Sequence, residues 1–197
     1  RLARLSFYDE FCADKNGLRE KTVFDFSDAA DRELVKSAAN LSAQVSDGVL
    51  SLTSTDTRRN IAVLDFTAQT RLLDLSDFER VELRMQVNAA GGEPFSLGFG
   101  VTSGRVREYS GERMLYTTVP NDGAMHTVLF DVSDVRGMLR SLRLELYSET
   151  LKSEIGDCVK LDSIRFLRAG EKAEGETDAP ATDPVAPGTN AADRKTG

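Results

Sequence analysis

The sequence predicts an all-β domain built as an antiparallel β-sandwich, and three observations support this fold class. Apolar and polar residues alternate along about eight short segments, a period typical of strands with one buried face. Turn signals such as Asp47-Gly48 and the Pro-Asn-Asp-Gly stretch at 120–123 separate these segments. No helical segments alternate with the strands in the sequence, which favours antiparallel pairing over a parallel α/β fold.

The predicted strands follow one another along the chain at short intervals. Residues 23–26 predict a first strand, and the polar, Ala-rich residues 27–40 predict a loop with one helical turn. Segments 49–53 and 61–66 predict a hairpin-like pair. A compact connector at 72–78 precedes the remaining strands, which we expect at 81–87, 95–101, 114–119, 128–132, 142–147 and 159–166.

The 95–101 strand has small residues on one side. Its apolar residues point to the core, whereas Ser96, Gly98 and Gly100 point the other way. We expect these small residues to leave one face of the strand open.

Composition divides the chain into three parts. Residues 1–20 form an N-terminal extension whose apolar residues recur at helical spacing, and residues 21–168 form the sandwich. Residues 169–197 combine several prolines with Ala, Thr, Gly and acidic residues, so we expect a disordered tail or linker. The chain opens on Arg1 rather than Met, so we expect a processed or excised product from which any targeting segment has already been removed.

The charge of the chain argues against two classes of partner. The formal net charge is -7 and the sequence pI is about 4.9, and such a surface repels nucleic-acid backbones and anionic lipids. No apolar stretch approaches the roughly 20 residues that a membrane-spanning helix needs. We therefore expect no nucleic-acid partner and no membrane insertion.

The two cysteines, Cys12 and Cys158, lie before the strand array and at the start of its last strand. A disulfide between them would close a loop of most of the domain and contribute about 4 kcal/mol in the chain-entropy model. The alternative is two separate buried thiols that behave as small apolar residues. The sequence leaves both possibilities open.

Catalysis finds little support in the residue pattern. His126 is the single histidine, and it lies in the strand-entry segment 122–126, where a structural role is the alternative to catalysis. The 32 acidic residues make any one carboxylate pair uninformative for glycoside hydrolysis, which depends on separation in space. We therefore expect a noncatalytic protein.

Four segments carry a family resemblance: DGVLSL at 47–52, LDLSDFERVELRM at 73–85, DGAMHTVLFDVS at 122–133 and VKLDSIRF at 159–166. With these motifs the chain resembles the galactose-binding-like jelly rolls, which include many carbohydrate-binding modules of bacterial glycoside hydrolases. The resemblance implies a jelly-roll sandwich and noncatalytic binding of a polysaccharide or other glycan. It also implies a location that is extracellular, at the cell surface or periplasmic.

A structural calcium ion is a second implication of the resemblance. Such modules often hold calcium near the junction of their first and last strands, where Asp25 and Asp162 occupy matching positions in this chain. Carboxylate and carbonyl oxygens suit this cation, which takes six to eight ligands. The alternative is that both carboxylates accept hydrogen bonds from the backbone or from arginine.

Related modules stack aromatic rings on sugar rings and bond the sugar hydroxyls with polar side chains. On that pattern the candidate ligand-binding residues, all on the outer phase of a strand or in a rim loop, are Arg84, Gln86, Arg143, Glu145, Tyr147, Tyr109 and Tyr116. An ordinary solvated sheet face is the alternative, and the charged loop at 56–60 has the same alternative. The chain has no tryptophan, which favours a competing role as a structural or protein-interaction sandwich beside a neighbouring domain.

Overall fold

A computed structural model describes residues 21–67, 73–90, 92, 94–148 and 154–175. The predicted N-terminal extension, with Cys12, and the chain from residue 176 onward lie outside these residues. In the part of the chain that is described, no helix combines the length and the apolar character needed to cross a membrane.

The described residues form eleven strands in two sheets. Sheet I contains β1 (Val23–Phe24), β3 (Leu41–Ser46), β4 (Val49–Ser54), β6 (Arg80–Asn88), β9 (Met125–Asp131) and β11 (Cys158–Leu167). Sheet II contains β2 (Val35–Ala39), β5 (Asn60–Asp65), β7 (Phe95–Ser103), β8 (Leu115–Val119) and β10 (Leu139–Ser148).

All strand pairs in both sheets are antiparallel. The order in sheet I is β3-β4-β11-β6-β9, with β1 paired to β11, and the order in sheet II is β2-β5-β10-β7-β8. Successive strands repeatedly pass from one sheet to the other, and the inner faces of both sheets share one apolar core. The predicted antiparallel jelly-roll β-sandwich is therefore confirmed.

The alternating apolar residues form this core, as the period of two predicts. Leu83 and Met85 of β6 are fully buried, and so are Leu142 and Leu144 of β10. Aromatic rings fill the space between the sheets, and the Phe99 and Phe130 rings stack with their centroids 4.4 Å apart. Burial of this apolar set contributes roughly 25 cal/mol per Å² of area removed from water.

The turn at Asp47-Gly48 joins β3 and β4 as a tight hairpin. Both residues have positive φ, 52° and 77°, and Ser46 pairs directly with Val49 across the turn. Two positive φ angles define the hairpin turn that follows the twist of its strands, and Asp-Gly favours this turn because glycine meets no Cβ penalty there.

Two local predictions are wrong. The predicted hairpin of 49–53 with 61–66 does not form, because β4 pairs with β3 and β11 whereas β5 pairs with β2 and β10 in the other sheet. The prediction that residues 27–40 contain no strand is also wrong, because they include the edge strand β2, whereas the predicted helical turn is present as the short helix α1 (Ala29–Arg32). Alternation is a local property of the chain, whereas the choice of neighbouring strand depends on contacts distant in sequence.

The described chain continues beyond the predicted end of the sandwich at Arg168. Residues 169–175, here named the C-terminal strap, lie across the outer face of sheet I, and Ala173 is buried there. The backbone N–H of Glu174 donates to Oε2 of Glu82 at 2.8 Å. Glu82 is buried although it lies on the outer phase of β6, because the strap covers it.

Candidate functional site

The outer face of sheet II brings residues from three strands into one row. Tyr116 of β8 pairs with Gly98 of β7, and Gly98 pairs with Glu145 of β10. In the adjoining row, Gly100 pairs with Arg143. Directly paired residues of antiparallel strands point to the same face of the sheet, so the tyrosine, the arginine and the glutamate share this face.

The glycines of β7 make room for aromatic rings. A Cβ at Gly98 would lie 2.9 Å from Cε1 of Tyr116, and a Cβ at Gly100 would lie 2.5 Å from Sδ of Met114 and 3.0 Å from Cδ1 of Tyr109. The expectation that the small residues leave this face open is therefore wrong, since these side chains lie directly on the strand. The close approach of the rings requires glycine at both positions.

Glu145 lies between two guanidinium groups. Nη2 of Arg143 is 2.6 Å from Oε1 of Glu145, and Nη2 of Arg59 donates to its Oε2. The Glu145 side chain is only 1% exposed, whereas those of Arg143 and Arg59 are 23% and 53% exposed. The two cations beside this buried side chain offset part of the cost of removing it from water.

Tyr109 supports Arg143 from the side. Its hydroxyl donates to Oγ of Ser141 at 2.7 Å, and the Arg143 guanidinium carbon lies 5.6 Å from the centre of its ring. Burial raises the pKa of Tyr109 above its ordinary value and outweighs the hydrogen bonds of its hydroxyl with Ser141 and Thr102, which lower the pKa. The phenol is therefore neutral at pH 7, and its ring holds the guanidinium by a cation–π contact.

Tyr116 is the accessible aromatic residue of the row. Its side chain lies over Gly98, yet the residue is 51% exposed. Tyr147 follows Glu145 by two residues in β10 and pairs with Ser96 of β7, so it occupies a register position on this same face. An exposed aromatic ring next to charged hydrogen-bonding groups can pack against an apolar surface and bond polar groups at its edge.

A second ion pair, between Lys36 and Asp65, lies near this cluster. Lys36 of β2 donates to Oδ2 of Asp65 at 2.5 Å, and Thr67 donates to Oδ1 through its hydroxyl and its backbone N–H. Burial raises the pKa of Asp65, but the hydrogen bonds from Lys36 and Thr67 outweigh it and lower the pKa to about 2.

Two of the predicted ligand residues lie elsewhere. Arg84 and Gln86 are on β6, on the outer face of sheet I, and do not share a surface with the tyrosines of sheet II. Arg84 donates to Glu174 of the C-terminal strap, and Gln86 donates to the carbonyl oxygen of Gly123. Their alternation with apolar residues predicts an outward direction, but it does not distinguish one sheet from the other.

Arg59 belongs to this cluster, although the alternative for its loop was that the charged residues only keep a turn soluble. It precedes β5 directly, and β5 is the neighbour of β10 on the side opposite β7. Leu146 pairs with Asn60, which brings the end of the loop beside Glu145. The sequence signal is an arginine immediately before a strand, and it becomes informative once the strand order is known.

The two predicted calcium ligands, Asp25 and Asp162, each have a partner within the protein. The Asp25 carboxylate accepts hydrogen bonds from the backbone and the hydroxyl of Ser27, at 3.1 and 2.6 Å, and the hydroxyl is the larger of these causes that lower its pKa. Asp162 lies 3.5 Å from Nε of Arg84, a cation that opposes metal binding. Within the described residues, no group of three or more His, Cys, Asp or Glu side chains fits a metal ion. Calcium shared by Asp25 and Asp162 stays a prediction.

The other two predicted features lie away from sheet II. Cys158 is half-buried at the start of β11, where Thr53 donates to its Sγ at 3.5 Å. Cys12 lies outside the described residues, so their pairing stays a prediction. Nε2 of His126 lies 2.8 Å from Oδ1 of Asp122, and this contact ties the turn before β9 to the strand.

Comparisons with solved structures return carbohydrate-binding modules at low similarity. One, described as "Carbohydrate binding module family29", has 9% identity and a TM-score of 0.49, and the alignment covers 74% of this chain and 86% of that chain. A second structure is a variant of a family 29 module, and its description concerns the mechanism of ligand recognition. It also has 9% identity and a TM-score of 0.49, and the alignment covers 74% of this chain and 83% of that chain. A third variant, complexed with cellulohexaose, has 10% identity and a TM-score of 0.43, with 66% and 77% covered.

No protein-family model and no curated protein matches the chain. At these identities and TM-scores, the family 29 modules indicate neither the ligand of this chain nor the residues that would bind it. The outer face of sheet II is the candidate binding surface because it brings an exposed aromatic ring beside charged side chains.

Proposed function

We propose that this chain is a noncatalytic carbohydrate-binding module whose glycan lies on the outer face of sheet II. The observation that carries the proposal is the row of Tyr116, Gly98 and Glu145, with the exposed tyrosine ring on the same face as the Arg143–Glu145 pair. A pyranose has an apolar C–H face and an equator of hydroxyl groups. It needs an aromatic surface and hydrogen-bonding groups side by side, which the exposed Tyr116 ring and the partly exposed Arg143 guanidinium group supply.

Contacts within the protein hold Arg143 and Glu145 in place before a ligand arrives. Glu145 is held between two arginines, and Tyr109 holds Arg143 through its ring. A side chain that is already ordered loses little conformational entropy when the ligand binds, so more of the contact energy appears as affinity. Because structural polysaccharides lie outside cells, we also propose a location outside the cell, on its surface or in the periplasm.

The proposal is tested by binding of the full chain to soluble and insoluble polysaccharides. Tyr116→Ala removes the exposed ring, and we expect loss of binding by about tenfold or more, since aromatic hot spots typically contribute over 1 kcal/mol. Leu129→Ala is the matched control, because Leu129 is an exposed apolar residue on β9 of the opposite sheet. Both variants are checked for an unchanged urea midpoint.

A panel in which no polysaccharide binds would refute the proposal and favour the structural or protein-interaction function. One observation favours that alternative. A cavity of about 460 Å³, lined by residues of β7, β8 and the segment after β9, has an apolar wall that includes Phe99, Val101 and the partly exposed Leu115. An apolar recess of this kind can receive a side chain from a neighbouring domain.

A further inference from the structure

One corner of the apolar core is open to solvent. Leu115, the first residue of β8, pairs with Phe99 of β7, and the Phe99 ring stacks on that of Phe130 inside the core. Directly paired residues of antiparallel strands point to the same face, so Leu115 points inward between the sheets. It is nevertheless 39% exposed, whereas Phe99 and Phe130 are buried. The two sheets therefore do not close over this inward-facing side chain.

The cavity of about 460 Å³, here named the corner cavity, lies at this opening. Phe99, Val101 and Leu115 form part of its wall, and Val132 and Val135 line it from the segment after β9. Its volume lies in the range that holds a drug-sized molecule, so it can receive several large apolar side chains. Because burial of apolar surface drives association, an apolar occupant would stabilise this corner of the core.

The N-terminal extension supplies apolar side chains in a suitable pattern. Apolar residues recur at roughly helical spacing in its first twelve positions, with polar residues between them, and the apolar set is Leu2, Leu5, Phe7, Tyr8, Phe11 and Cys12. A short helix with one apolar face is stable in a protein chiefly because that face packs against another surface. The extension therefore needs an apolar surface of the kind that the corner cavity offers.

The start of the described chain lies near the corner cavity. The backbone N–H of Phe166 in β11 donates to the carbonyl oxygen of Thr22 at 2.9 Å. The next residue of β11, Leu167, pairs with Arg80 of β6, and Arg80 pairs with Asp131 of β9, which lines the cavity. The strands β1, β11, β6 and β9 are successive neighbours, so about three strand spacings, or about 15 Å, separate Thr22 from this end of β9.

The extension is long enough to cover this distance. The eight residues 13–20 span up to about 26 Å when extended. Residues 2–12 add about 16 Å as a helix. The apolar set can therefore reach the corner cavity while the linking residues are only partly extended.

We propose that residues 2–12 dock in the corner cavity of the same molecule, with the apolar face of a short helix closing the core beside Leu115. The inference does not depend on glycan binding, because the corner cavity opens between the sheets and the proposed glycan site lies on the outer face of sheet II. A cavity filled in this way is not available to a neighbouring domain.

Thiol labelling of the full chain tests whether the cavity is covered. Both native cysteines are replaced by alanine, and Leu115→Cys then places a single thiol in the cavity wall. Tyr116→Cys is the matched control, because the next residue of β8 points to the outer face of sheet II and is 51% exposed. We expect the thiol of Leu115→Cys to react with iodoacetamide at least about tenfold more slowly than that of Tyr116→Cys, since labelling must wait for the extension to leave.

Adjacent positions of the extension give a second matched pair. Leu5→Asp places a charge in the apolar set and should raise the labelling rate of Leu115→Cys about tenfold or more, as expected for loss of one large buried apolar side chain. Ser6→Asp adds the same charge at a polar position and should change this rate by less than about twofold. Neither variant should alter labelling of Tyr116→Cys. Equal effects of Leu5→Asp and Ser6→Asp would overturn the inference, because charge and not apolar docking would then be responsible.

The native cysteines give an independent test. Cys158 begins β11 and lies about 30 Å along the strand from Leu167, which is at the end nearer the cavity. A docked extension therefore keeps Cys12 away from Cys158, and we expect two free thiols when the full chain is denatured and titrated. Mass spectrometry that finds a Cys12–Cys158 disulfide would place the extension toward the opposite end of sheet I and overturn the inference.

The remaining outcomes identify a different state of the cavity. If Leu115→Cys is labelled as fast as Tyr116→Cys and Leu5→Asp has no effect, the cavity is open and the inference is wrong. A labelling rate that falls as protein concentration is raised shows that the extension of a second copy is the occupant, which overturns docking within one molecule. Each of these results leaves the glycan-binding test unchanged, so failure of this inference is distinguishable from failure of the proposed function.

Discussion

The buried carboxylate of Glu145 provides the sharpest test of how the face of sheet II is held together. Replacing Glu145 with Gln keeps the shape of the side chain and removes its charge. Arg143 and Arg59 then lose the anion between them, and the Gln amide can accept through its oxygen on one side only, because its NH2 group donates and cannot bond a guanidinium group. We expect the folded state to be destabilised.

The magnitude follows from burial and charge. Two opposite charges about 4 Å apart attract by about 4 kcal/mol at an effective dielectric constant of 20, and the cost of burying the carboxylate offsets much of this. Breaking a fully buried pair costs about 3–5 kcal/mol. Because both arginines reach water, at 23% and 53% exposure, we expect a smaller loss of about 2 kcal/mol in the free energy of unfolding.

Urea unfolding followed by far-UV circular dichroism measures this loss, and a domain of this size should also melt roughly 4–8 °C lower. Arg58→Gln is the control, and we expect it to leave the urea midpoint unchanged because its ion pair is exposed. A double-mutant cycle with Arg143→Gln should give a coupling of at least about 1 kcal/mol. An unchanged urea midpoint in Glu145→Gln would show that the guanidinium groups do not hold the carboxylate.

Three further predictions concern other groups. Asp65→Asn should lower stability by about 1 kcal/mol at pH 7. Because the folded-state pKa of Asp65 is lowered to about 2, the difference in stability from the parent chain should be complete above about pH 4 and should be lost as the pH falls through 2. A difference in urea midpoints that does not change with pH would contradict the ion pair. Gly98→Ala places a Cβ 2.9 Å from Cε1 of Tyr116, so the ring must move: glycan affinity should fall about tenfold while unfolding changes by less than about 1 kcal/mol, and unchanged affinity would exclude this ring from the site. If Asp25 and Asp162 share calcium, a chelator should lower the melting temperature by several degrees, as loss of a ligand bound only by the folded state requires, and a melting temperature unaffected by chelator would rule this out.

The inner rows of the sandwich were predictable because they depend on local pattern. Leu83 and Leu144 alternate with polar neighbours, and both are buried. Arg143 and Glu145 were placed on one face for the same reason, since residues two apart in a strand point the same way. Tyr116 lies on the same face only because β8, β7 and β10 are neighbouring strands. Arg59 lies beside Glu145 only because β5 is the other neighbour of β10.

Local sequence pattern predicts which residues face inward, where the Asp47-Gly48 turn lies and that the fold is an antiparallel sandwich. These properties follow from side-chain alternation and backbone preference within a few residues. Tertiary structure decided which strands are neighbours, that Arg84 and Gln86 belong to the sheet under the C-terminal strap, and that two arginines meet one carboxylate on the other sheet. Alternation gives each outward residue a direction, but only long-range pairing decides which other residues share its surface.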